Sequence, residues 1–126
     1  ELRKSEARAA AAEQKLLSFP LQLIARGNDY LAFAKSSLEA KQDIPSLLAL
    51  SQARTLFEEA SAKVTGERAT EVGKLAAFFL DATRAYRNAV LYLETGGEDY
   101  TAALGKADAL RASAMQLLAL LLQSSQ

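Results

Sequence analysis

The sequence predicts an all-α protein, an antiparallel up-and-down four-helix bundle, and three observations carry that reading. Strong helix formers dominate the 126 residues, and only six glycines and two prolines interrupt them. The interruptions fall at three short breaks, Gln42-Asp43-Ile44-Pro45, Thr65-Gly66 and Thr95-Gly96-Gly97. Between them run four segments whose apolar residues step by three and four, the helical period, with no alternation of the kind that strands require. Short links make consecutive helices antiparallel, and four apolar stripes are buried most simply against one another. A chain of this length fits a single helical-bundle domain over residues 1–126.

The first helix carries Leu17, Ile24, Leu31 and Leu38 at intervals of seven, with Ala34 filling the alternate position. Upstream, residues 1–14 hold one large apolar side chain, Leu2, among alanines and charges. Residues 1–15 are therefore expected to be a helical extension or stalk. Pro20 predicts a kink in one long helix, since its ring clashes with the preceding turn. The alternative is a break, with Ser18 capping a new helix whose first turn holds Pro20. Asn28 falls near the apolar stripe beside Gly27. A small residue there permits close approach by another helix, and the amide either fixes register or meets a ligand.

The Ile44-Pro45 step ends the first helix and opens the second, because proline restricts the residue before it. The second stripe runs Leu50, Ala53, Phe57, Ala60, Val64; the third runs Val72, Leu75, Phe79, Tyr86, Val90, Leu93. Gly66 and Gly96 suit the left-handed residue that closes a helix. The fourth stripe runs Tyr100, Ala103, Leu104, Ala107, Leu110, Ala114, Leu117, Leu121. Tyr92 and Tyr100 bracket the last turn and are expected to pack across it with their hydroxyls in water. Residues 112–126 carry no charge, and Leu117, Leu118, Leu120, Leu121 and Leu122 nearly encircle the axis. Such a helix must be covered on more than one side. Either residues 1–14 seal it, or Leu117, Leu118, Leu121 and Leu122 form a homodimer seam or a contact with a neighbouring helix.

Composition removes most catalytic chemistry. Cysteine and histidine are both absent, which excludes thiol nucleophiles, thiolate zinc sites, imidazole bases and histidine-containing di-iron centres. Gly66-Glu67-Arg68 and Gly96-Gly97-Glu98 lack the spacing and the lysine of a nucleotide loop. Glu58-Glu59 and Glu98-Asp99 are adjacent pairs whose side chains diverge, and Glu67, Glu71, Glu98 and Asp99 sit near helix starts, where the macrodipole favours negative charge. The expectation is a non-enzyme with no cofactor and no metal. Fifteen basic residues balance fifteen acidic ones, so nucleic acid is not an expected partner. No apolar run approaches the length of a membrane span, so any membrane association is expected only through segments beyond this sequence.

Arg84 and Arg87, with Tyr86 between them, are the leading ligand-binding candidates together with Asn28. Two arginines three apart on a helix can clamp a carboxylate in bidentate fashion, and a neighbouring tyrosine can stack or hydrogen-bond. The plainer reading is a solvated flank with Asp81 pairing to Arg84 and Tyr86 serving the core. Arg54 and Arg111 fall under the same alternatives.

Leu17-Ser18 followed by Ile24-Ala25-Arg26, then the stretch Leu47-Leu48-Ala49-Leu50-Ser51-Gln52-Ala53-Arg54-Thr55-Leu56-Phe57-Glu58, resembles the first helical pair of the extracytoplasmic sensory domain of type IV pili methyl-accepting transducers. Leu75, Ala82, Tyr86, Arg87 and Val90 of the third helix, and the fourth helix, match in order and character, while Pro20 interrupts the Leu-Ser-x-x-Ile-Ala pattern. The Tyr92–Tyr100 turn is similar to one in related chemoreceptor and sensor-kinase input domains. The resemblance implies a periplasmic, non-enzymatic signal-input bundle of a bacterial transmembrane receptor, which lies between two membrane helices, forms a homodimer and binds a small-molecule or protein ligand. The alternative is a helical protein-interaction adaptor, secreted, lipid-anchored or cytoplasmic. Its motivation is the loose likeness of Tyr92-x-x-x-Gly96 and Asp99-Tyr100-x-x-Ala103 to a tetratricopeptide hairpin, although no 34-residue period emerges.

Overall fold

A computed structural model describes the backbone at residues 2–64, 66 and 69–124, and the side chains at 19–64, 66 and 69–123. It contains four helices and, among the described residues, no strand: α1 (Leu2–Glu39), α2 (Asp43–Lys63), α3 (Ala69–Leu91) and α4 (Gly97–Ser124). The four-helix arrangement expected from the stripes is present. α1 runs through Pro20 without a break, so no new helix starts at Ser18. The missing proline N–H leaves one carbonyl four residues upstream without its helical donor. Burial of Pro20 alongside Leu21, Leu23 and Ile24 is what the packed state gains at this position.

The ends of the helices follow local chemistry. α1 closes on Lys41, whose φ of 59° is left-handed. The Lys41 N–H donates to the Leu38 carbonyl at 2.9 Å and the Gln42 N–H to the Ser37 carbonyl at 2.8 Å, the paired bonds of a Schellman cap. Asp43 then opens α2, its Oδ1 accepting the Ile44 N–H at 2.7 Å, with Pro45 in the first turn where its missing donor is harmless. The left-handed region is costly for lysine and free for glycine. Lys41→Gly is therefore expected to raise the unfolding free energy by about 0.5–1 kcal/mol after the added freedom of the unfolded chain is subtracted. Denaturant titration checks this, and a lower midpoint would contradict it. Gly66 (φ 93°) and Gly96 (φ 62°) occupy left-handed turns, as their positions after the second and third stripes predict.

Every described member of the heptad series in α1 is fully buried: Ile24, Leu31, Ala34 and Leu38. Leu17 lies outside the described side chains, as does the expected cover from residues 1–14. Leu50, Ala53, Phe57 and Ala60 of α2, and Val72, Leu75, Phe79, Tyr86 and Val90 of α3, are also core. Val64 and Leu93 differ slightly from expectation. They fall just beyond the helix ends, in connections, yet pack half-buried against the same core.

The centre of that core is aromatic. The Phe57 and Phe79 rings stack with centroids 5.0 Å apart and planes 16° from parallel, joining α2 to α3. α1 reaches the same point through Gly27. A Cβ there would meet Phe57 Cε1, with Cζ at 2.7 Å and Cδ1 at 2.9 Å. The small residue beside Asn28 is thus where α1 presses its backbone onto the Phe57 ring.

α1 packs along α2, α3 along α4, and the two hairpins join through α2 and α3. α1 also meets α3 across the diagonal, whereas α1 and α4 touch only along a thin seam and α2 and α4 do not meet. Alanines 82, 85 and 89 are buried on α3, where small side chains permit close helix approach. No helix is long and apolar enough to cross a membrane among the described residues.

Candidate functional site

The four ligand-binding candidates divide between two places. Arg84 and Arg87 lie along a groove between α2 and α3, with a volume of about 580 Å³. Asn28 lies in the α1–α4 seam, where Arg111 reaches it, and Tyr86 enters the core from α3 and bonds to Asp108 of α4 beside that seam. The cause is helical geometry: at 100° per residue, Tyr86 points 200° away from Arg84, so it enters the core while the arginines flank it.

The groove is built by antiparallel α2 and α3. Leu47, Leu50 and Leu80 supply its apolar lining, Ser51 and Thr83 its hydroxyls, and Arg54, Arg84 and Arg87 its positive rim, with Glu58 at one end. Thr83 is spent internally, its hydroxyl donating to the Phe79 carbonyl at 2.7 Å. Arg54 Nε donates to Glu58 Oε1 at 2.8 Å, an i,i+4 pair. Arg84 faces Asp81 at 3.7 Å, the i,i+3 partner expected from the sequence, but its side chain remains 79% exposed. Among the described residues, no carboxylate comes within ion-pair distance of Arg87. Arg54, an incidental candidate in the sequence, is thus brought beside Arg84 and Arg87 by hairpin pairing, a proximity that spacing along one helix could not reveal.

Polar side chains of α1 and α4 meet along the seam, with Tyr86 of α3 beside them. Tyr86, wholly buried, donates its hydroxyl hydrogen to Asp108 Oδ1 at 2.6 Å. Lys35 Nζ sits 3.3 Å from the other oxygen, Oδ2. Arg111 Nε donates to Asn28 Oδ1 at 2.8 Å, and the Tyr100 hydroxyl donates to the Leu38 carbonyl at 3.1 Å. Arg111 and the Tyr100 hydroxyl thus each reach across to α1. Tyr92, by contrast, is exposed at the hairpin turn. Burial pushes the Tyr86 phenol well above its ordinary range, and the hydrogen bond and negative charge of Asp108 push it the same way, with Arg111 opposing. The Tyr100 phenol is raised by burial and by the charges of Glu39 and Asp108. Lys35 and Asp108 had no place among the sequence candidates, since each reads alone as a solvated charge.

At the end of α4, Leu118 and Leu121 are buried within the chain itself and Leu117 is half-buried. Leu120 and Leu122 remain 62% and 40% exposed. Two of these leucines are thus buried within the chain, while Leu120 and Leu122 are exposed.

Chemically, the groove can hold a ligand by charge and apolar contact, and the seam can hold two helices together by bonds that water can replace. Set against known proteins, the chain matches no family model, no curated protein and no solved structure.

Proposed function

We propose that the chain is a non-enzymatic signal-input bundle of a bacterial transmembrane receptor, acting outside the cytoplasm as a homodimer. The observation that carries this reading is the contrast between its interfaces. Within each hairpin, and between α2 and α3, close-packed apolar side chains of one core join the helices, with the Tyr86–Asp108 bond added between α3 and α4. Along α1 and α4 they are joined by Lys35 with Asp108, Asn28 with Arg111, and Tyr100 with the Leu38 carbonyl. Polar bonds near the surface exchange with water at small net cost, of the order of 1 kcal/mol each. An input domain needs two packings of similar energy that a ligand can bias. Displacement of α1 against α4 supplies them.

Two measurements test the reading. The gene should encode membrane-spanning helices before and after the bundle, with a cytoplasmic signalling region beyond; a product without them would overturn it. Because the chain has no cysteine, spin labels can be placed at Gln22→Cys and Gln123→Cys alone. Arg111→Ala should shift the distribution of label separations by releasing Asn28. A single distribution that ignores Arg111→Ala would show that the seam does not switch. The adaptor alternative finds its support in Ile44, Leu48 and Leu91, which are 66%, 65% and 74% exposed near the connections at one end of the bundle. Gene context separates the two readings.

A further inference from the structure

We propose that the α2–α3 groove is a binding site for a small amphiphilic monocarboxylate, with its head on Arg84 and Arg87 and its tail along Leu47, Leu50 and Leu80. As the ligand site of the input bundle, the inference rests on that reading for its purpose; binding itself is measurable on the chain alone.

Size, charge and lining agree. A volume of about 580 Å³ lies within the range of small-molecule sites, and is far too small for a folded partner. The rim holds three guanidinium groups. Glu58 occupies Arg54 at 2.8 Å, and Asp81 partly offsets Arg84 from 3.7 Å. Arg87 has no acidic partner among the described residues, so one positive charge is left uncompensated. One surplus charge matches a carboxylate; a phosphate dianion would leave negative charge unbalanced. Two arginine forks on adjacent turns can each present paired N–H donors to a planar carboxylate. Beneath them, Leu47 is 42% exposed although it points between two helices, and an acyl or aryl tail would cover it. Ser51, with no other partner in the groove, adds a hydroxyl donor.

Octanoate is a suitable probe, titrated to millimolar concentration into isotope-labelled protein. The expected result is saturable movement of the Arg84 and Arg87 Nε–H signals and of the Leu47 and Leu80 methyls. Arg87→Gln, an exposed change that leaves the core untouched, should weaken binding roughly tenfold or more, the worth of a charge-assisted hydrogen bond. Acetate, which lacks the tail, and octanol, which lacks the charge, should both bind more weakly. Unsaturable or scattered shifts would overturn the proposal, as would equal affinity in Arg87→Gln. Tighter binding of octyl phosphate than of octanoate would overturn the monocarboxylate assignment. Flanking membrane spans without octanoate binding would remove the site and leave the input reading; octanoate binding without such spans would do the reverse.

Discussion

Truncating Phe57 to alanine should lower the unfolding free energy by about 3–5 kcal/mol, the loss expected when a buried aromatic leaves a cavity. The ring is fully buried where three helices converge: stacked on Phe79 of α3, covered by the backbone of α1 at Gly27, and rooted in α2. Relaxation cannot refill the space cheaply, because Gly27 has no side chain to extend into it. Domains of this class have about 5–15 kcal/mol of total stability, so the variant should lie near its unfolding threshold. Urea titration should show a large fall in midpoint with the slope preserved. Gly27→Ala tests the same contact from the other side, since its new methyl must displace the ring. Combined with Phe57→Leu, its penalty should shrink, giving non-additivity that separated sites do not show. A Phe57→Ala loss below about 1 kcal/mol would mean that the three helices do not meet there.

The second large effect is alkaline. Tyr86 holds its proton more tightly in the folded chain than its ordinary value of 10.0 allows, first because it is buried and then because it donates to Asp108. Above pH 10 the unfolded chain releases that proton while the native chain retains it. Stability contributed by the neutral phenol is therefore complete below pH 10 and declines as pH rises toward the folded value. The slope should approach about 1.4 kcal/mol for each pH unit. Tyr100 is shifted in the same direction and adds a smaller decline. Tyr86→Phe should flatten most of the dependence, because phenylalanine has nothing to ionise. Stability measured by denaturant from pH 9 to pH 12 decides the matter; identical curves for both proteins would show that the phenol is not secluded.

Periodicity made the interior legible in the sequence. Ile24, Leu31, Leu38, Phe57, Phe79 and Tyr86 each repeat on one helical face, and burial follows from the face alone. Gly27 was legible too, because it falls beside the apolar stripe, where a small residue permits close approach; Gly73 and Gly105, inside α3 and α4, meet nothing. The polar sites were only half legible. Arg84 and Arg87 announce a pair by spacing, but Arg54 joins them from another helix, and Tyr86 leaves them because its position turns inward. Lys35, Asp108 and Arg111 resemble ordinary solvated charges until α1, α3 and α4 bring them together. Lys41 escaped attention because a left-handed lysine has no residue signature, unlike Gly66 and Gly96. The leucines at the end of α4 read as one apolar collar, and only three-dimensional packing divides them into Leu118 and Leu121 inside and Leu120 and Leu122 outside.

The seam has a further consequence for how the fold's energy is distributed. Hairpin packing ties together segments that follow one another along the chain, whereas the Tyr100–Leu38 and Arg111–Asn28 bonds close spans of 62 and 83 residues. Loop-closure entropy grows with span, so its heaviest demand falls on the edge of the molecule where little oil is available to offset it. That edge is thus the one whose ordering returns least.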